Sequence, residues 1–194
     1  MTSQDKQITE ASGLTYTLRR AKQKNIILRI CQDDTVLVKA PYGVSEAKVR
    51  DYVRSKEAWI RKHLAQREAL AEVPKLTEAQ IEELKRKAKE ILPKRVAYYA
   101  DIVGVTYGRI TVRCQKTRWG SCSAQGNLNF NALLLLAPIE VLDSVIVHEL
   151  CHRKQMNHSH AFYAEVYRAY PEYDRWNGWL KKNGKQLMAQ IPSC

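Results

Sequence analysis

Residues 148 to 152 read His-Glu-Leu-Cys-His, a spacing able to support zinc chemistry. Positions four apart on a helix lie nearly one above the other, so the imidazoles of His148 and His152 can converge on one metal ion. Glu149 then leaves the adjoining face, towards a bound water. Zinc in such a site lowers the pKa of its water to roughly 7, and Glu149 is placed to take the proton as general base while the hydroxide attacks a polarised carbonyl or phosphorus. The bland alternative, ordinary surface histidines on an amphipathic helix, fits poorly. Two ring nitrogens and a carboxylate on an otherwise apolar helix are costly to bury without partners. Cys151, although inside the motif, faces elsewhere by helical phase and reads as a small core residue.

A catalytic zinc keeps three protein ligands and one open position. Of the 5 histidines, His148, His152, His158 and His160 cluster and only His63 lies elsewhere, so the third ligand is sought nearby. His158 is preferred, because it ends a short excursion from the metal helix in which Asn157 can take the left-handed conformation that reverses the chain. His160 should fall just inside the next helix. His160 and Glu165 remain open as alternatives.

A second group surrounds Trp119-Gly120. Structurally, Trp119 packs and Gly120 turns the chain between two strands. Functionally, Lys116, Arg118 and the hydroxyls of Ser121 and Ser123 could meet an anionic substrate beside the metal, since arginine offers a planar fork to phosphate. There is no glycine-rich phosphate loop of the Walker type.

The elements that must position these residues can be read from periodicity. Leu14, Tyr16 and Leu18 alternate, and Ile26 to Ile30 and Val36, Val38, Ala40 flank a turn-like Gln32-Asp33-Asp34, which predicts a small hairpin sheet. Ser45 caps a helix carrying Val49, Tyr52, Val53, Trp59, Ile60 and Leu64, with a break expected near Ser55. Glu72 to Lys75 reads as a linker, dividing a basic β-hairpin and helix region (1–75) from a second region (76–194). Thr77 with Gln80 forms a capping box opening a helix that Pro93 should kink or divide. Ile110 to Cys114 and Leu128 to Leu136 alternate as strands, Trp119 to Ser121 and Gln125 to Asn127 supplying turns. Pro138 opens the metal helix, whose apolar residues Ile139, Leu142, Val145, Ile146 and Leu150 recur near the 3.6 period through Met156. Ser159 caps a further helix to Tyr170, and Pro171 to Met188 form a last one. The fold class is α+β.

Composition narrows the setting. With 194 residues, 45 % apolar and 27 % charged, the chain can bury a core and is not disordered. No stretch suits a secretory signal or a membrane span, so the expected compartment is the cytoplasm. The odd set of cysteines at 31, 114, 122, 151 and 194 lacks Cys-x-x-Cys spacing and reads as free thiols. The net charge of +12 biases the protein towards polyanions: nucleic acid, nucleotides or acidic proteins.

Two blocks of residues resemble a known family. One is Thr117-Arg118-Trp119-Gly120-Ser121-Cys122-Ser123 with Gly126 to Asn131 and Pro138; the other is Val147 to His152 with Asn157-His158-Ser159 and Phe162. They resemble the YgjP-like metallopeptidase domain family, placed among the zincins. The Ala40-Pro41 step and Trp59-Ile60 also look like that family. The resemblance implies a small zincin-like core of helices on a short sheet, zinc held by His148, His152 and His158, and Glu149 as base. Where the family often has Trp after the Phe162 position this chain has Tyr163, a change that keeps a large amphipathic ring. SprT-type proteases are similar around the zinc motif and lack the Arg-Trp-Gly-Ser-Cys-Ser block.

Three functions compete. The first is a zinc endopeptidase or related amide hydrolase acting on an extended peptide or protein. The second is a metal-dependent nucleoside triphosphate pyrophosphatase, an activity ascribed to some YgjP-like proteins, including cleavage of uridine triphosphate, with Lys116 and Arg118 on the phosphates. The third is a nucleic-acid binding module using Lys48, Arg50, Arg54, Lys56, Arg61 and Lys62 around a structural metal. It ranks last, since structural zinc is normally closed by four ligands and leaves a general base without purpose. Other divalent transition metals could occupy the same ligands. Oligomeric state is not legible in the sequence.

Overall fold

The computed structural model describes residues 5–192, and the chain divides into two compact units, Met1–Glu72 and Val73–Cys194. Cys194, one of the five thiols expected above, lies outside the described residues, as do residues 1–4, on which the leader expectation partly falls. Among those described, Cys31, Cys114, Cys122 and Cys151 are free thiols, and no helix is long and apolar enough to cross a membrane.

The N-terminal unit is a four-stranded sheet with one helix. Strands β1 (Lys6–Thr9), β2 (Thr15–Ala21), β3 (Ile27–Ile30) and β4 (Val36–Pro41) lie in the order β1-β2-β4-β3. The β3–β4 hairpin is as expected, but β2 runs parallel to β4, a pairing that local alternation cannot reveal because it is set by the chain between them. The alternation at Tyr16, Leu18, Val36, Val38 and Ala40 buries one face against Val49, Val53 and Ile60 of α1 (Glu46–Ala71). Ser45 caps α1, its hydroxyl accepting from Lys48 N–H. The helix does not break at Ser55, whose hydroxyl donates back to Tyr52 O instead of capping a new turn. Arg50, Arg54 and Arg61 of the basic face are paired with carboxylates of this same unit.

The second unit opens with α2 (Glu78–Val103), capped by Thr77 and Gln80 as the sequence implies. Pro93 does not divide it. The proline removes one donor to Lys89 O, but both residues are exposed, so water replaces the lost bond and the helix continues. Three short strands follow, β5 (Ile110–Arg113), β6 (Gly120–Cys122) and β7 (Leu128–Asn131), in the order β5-β7-β6, with β5 parallel and β6 antiparallel to β7. The strand that alternation predicts as far as Leu136 ends at Asn131. Its side chain accepts from Leu133 N–H and turns the chain into a short 3-10 segment, Ala132–Leu136.

Helix α3 (Ile139–Cys151) carries the motif, and α4 (His160–Ala169) and α5 (Tyr173–Ala189) pack beside it. It stops at Cys151, short of Met156, with His152 as its C-cap. Val141, Leu142, Val145, Ile146, Val147, Leu150 and Cys151 are buried in the main core with Phe130, Phe162 and Leu92. Asp143, itself buried, takes both oxygens to the guanidinium of Arg95 on α2. This fork locks the metal helix to α2. Asp143→Asn should lower stability by about 1–3 kcal/mol, read as a shift of the urea midpoint at constant slope. The unit's two ends are joined: Leu76 N–H donates to Gln190 O at 2.8 Å and Lys75 Nζ to Ala189 O at 2.8 Å.

Candidate metal centre

The helical register of α3 puts His148 and His152 one turn apart, and the turn after Cys151 returns the chain so that His158 meets them. One ring nitrogen of each lies within 4.8 Å of the others. His148 Nε2 and His158 Nε2 face each other at 3.0 Å. The three imidazoles stand around the ring of Phe162, with centroids 4.9, 4.6 and 4.9 Å away. That fully buried phenyl forms the floor of the cluster. The turn is not made as expected. Among the described non-glycine residues only Asp34 has positive φ, so Asn157 is not left-handed; its side-chain oxygen instead accepts from Ser159 N–H, an Asx turn that serves the same end.

The donor chemistry fits a divalent transition metal. His152 Nδ1 lies 3.1 Å from Gln155 O; a carbonyl only accepts, so the proton sits on Nδ1 and Nε2 keeps its lone pair. His148 Nδ1 lies 2.9 Å from the Tyr173 hydroxyl. Burial, then the neighbouring histidines, drives His148 down to about 4. Burial also lowers His152, against the Gln155 bond and with His158 adding to the fall. At neutral pH both are therefore neutral, the state in which imidazole can bind a metal.

Glu149 stands outside this triad and is 6 % exposed. Burial pushes its carboxyl up to about 8, against the opposing pull of Arg118. Its room is made by Gly120. A Cβ there would sit 2.6 Å from Glu149 Oε1 and 2.7 Å from its Cγ. Gly120 is thus not the turn residue expected but the first residue of β6, and its missing side chain is the space the carboxyl occupies. Sequence reasoning missed this role; the juxtaposition is visible only once strand and helix are packed. Gly120→Ala should force the whole Glu149 side chain aside, since Cγ as well as the carboxyl stands in the way, and should cut turnover by about 100-fold while the metal still binds. Kinetics with metal analysis on the same sample would check this.

The other candidates stay outside the triad, although Arg118 is near enough to Glu149 to act on its charge. His160 is the exposed first residue of α4, and Glu165 is held by Lys154 and Arg168, so neither joins the three imidazoles. Ser123 is spent on the β6–β7 turn: its hydroxyl accepts from Asn127 N–H and its backbone pairs with Asn127. Ser121 lies on β6 opposite Asn129. Lys116 and Arg118 are exposed on the loop before β6, where Arg118 also offers its carbonyl to Asn131. Cys151 is fully buried, as its helical phase requires.

The family model "YgjP-like, metallopeptidase domain" matches residues 24–84 and 74–183. The chain belongs to this family. Membership in a YgjP-like metallopeptidase family implies a divalent metal, for which the histidine cluster supplies donors. Among solved structures, the chain is similar to the metallopeptidase zymogen abylysin of Pyrococcus abyssi, with 21 % identity, a TM-score of 0.45 and coverage of 53 % of this chain and 100 % of that one. It is also similar to the zymogen jannalysin of Methanocaldococcus jannaschii, with 22 % identity, a TM-score of 0.41 and coverage of 46 % and 93 %. No curated protein is significantly similar to this YgjP-like chain.

Proposed function

We propose that the protein is a zinc metallopeptidase in which His148, His152 and His158 hold the ion and Glu149 is the general base. The observation that carries this reading is a buried carboxyl next in sequence to one of three converging imidazoles, in a cavity that also admits Gly120 of an end strand. The bound ion supplies Lewis-acid polarisation of the scissile carbonyl and lowers the pKa of water. Glu149 accepts the proton of the attacking water and passes it to the leaving nitrogen, so the carboxylate is regenerated in each cycle. Tyr173 and Gln155 fix the ring orientations of His148 and His152.

Strand β6 favours a peptide as substrate. In its register with β7, Trp119 and Ser123 spend backbone groups on Asn131 and Asn127. The N–H and C=O groups of the alternate residues, Gly120 and Cys122, therefore point away from β7. An extended peptide can pair with that edge, which places its backbone beside Glu149.

The test is a paired incubation of zinc-loaded protein with an unfolded protein and, separately, with nucleoside triphosphates, each repeated with Glu149→Gln. Peptide products that vanish in the variant are expected. Glu149-dependent pyrophosphate release without peptide products would replace this reading by the pyrophosphatase one.

A further inference from the structure

Beside the imidazole cluster a slot of about 170 Å3 opens between α3 and α5. One wall is the α3 stripe that includes Val145, ending at His148 and Glu149. The other is the α5 stripe Tyr173, Asn177 and Leu180, spaced as one helical face, and Trp119 and Gly120 close the end. Val145, Tyr173 and Leu180 are buried. Ser144 also lines the slot, but its hydroxyl donates to Val141 O of its own helix.

Size and chemistry both restrict what enters. An apolar cavity of about 150 Å3 holds one benzene ring, whereas pockets for drug-sized ligands run to about 300–1,000 Å3. The slot therefore suits a single side chain and not a nucleoside. Apart from His148 and Glu149, which the proposed reaction uses, the lining holds no acidic or basic side chain; burial pushes the Tyr173 phenol further up, so it stays uncharged. A lysine, arginine or carboxylate side chain placed there would lose its water and find no counter-ion along the Val145, Asn177 and Leu180 walls.

We propose that this slot is the specificity site, receiving an uncharged side chain, aliphatic or up to phenyl size, from the substrate residue beside the scissile bond. The assignment rests on the peptidase reading above. Asn177, midway along the α5 stripe, is the position where one charge would rewrite the preference. In a wall of this kind one methylene more or less changes selection by about 10–200-fold.

The test uses the full-length zinc-loaded protein and calorimetric titration with the N-acetyl hydroxamates of leucine, phenylalanine, lysine and glutamate. The leucine and phenylalanine compounds should bind at least about tenfold tighter than the charged pair. Asn177→Asp should bring the lysine compound above leucine. Affinities equal within threefold, no saturable binding, or an unchanged ranking in Asn177→Asp would each overturn the assignment. Peptide hydrolysis by the same preparation separates the two claims. Side-chain selectivity without hydrolysis keeps the slot and removes the peptidase, and hydrolysis without selectivity does the reverse.

Discussion

Glu149→Gln is expected to bind zinc with wild-type stoichiometry and to lose about 10²–10⁴-fold in turnover. The amide keeps the size of the buried group beside Gly120 and cannot accept a proton. Metal analysis with single-turnover kinetics on the same sample checks both halves, and a fully active variant removes the general base from the mechanism. The substitution should also alter stability in the metal-free protein. The folded carboxyl is held up to about 8 against an ordinary value of 4.5. Between those values the folded state keeps a proton that the unfolded chain has released, so wild-type stability falls as pH rises through the window. The amide escapes that loss. With chelator present, Glu149→Gln should melt above wild type at pH 8, and the gap should shrink towards pH 5. His148 works in the opposite direction. Its folded value near 4 lies below 6.5, so stability falls as pH drops through that range, but it does so in both proteins and cancels from the comparison.

His158→Ala should weaken zinc binding by at least about 100-fold, whereas His160→Ala should stay within about threefold of wild type. The two histidines are two residues apart and both are exposed, but only His158 meets other imidazoles. His158 Nε2 faces His148 Nε2 at 3.0 Å over the Phe162 ring, while His160 sits exposed at the start of α4. Competition against a chromophoric chelator reads both affinities under one condition. Equal values would overturn the choice of third ligand.

How much of this was legible beforehand depended on whether the deciding contact was local. Helix α3 is readable because Leu142, Val145, Ile146 and Leu150 repeat with the helical period, and the caps at Ser45, Thr77 and Ser159 because each is a short-range bond from side chain to backbone. Where two local signals compete, pattern misleads. The alternation from Leu128 to Leu136 continues past the point at which Asn131 bends the backbone. Pro93 signals a break that its exposed position makes unnecessary. The sequence points to His158 through a left-handed Asn157 that the chain does not use, although the excursion itself does return. Relations between distant segments left no local trace: the parallel β2–β4 pairing, the α5 wall of the slot and the fit of Gly120 against Glu149. Gly120 reads locally as a turn former because glycine has two uses, backbone freedom and absence of a side chain, and only packing tells them apart.

The bonds from Lys75 and Leu76 to Ala189 and Gln190 have an architectural consequence. Entry and exit of the histidine-bearing half lie side by side, like the two ends of a closed bracelet. Such a half can be spliced into a surface loop of an unrelated host, or reopened at a different point with its original ends tethered, without stretching the backbone that holds the imidazoles.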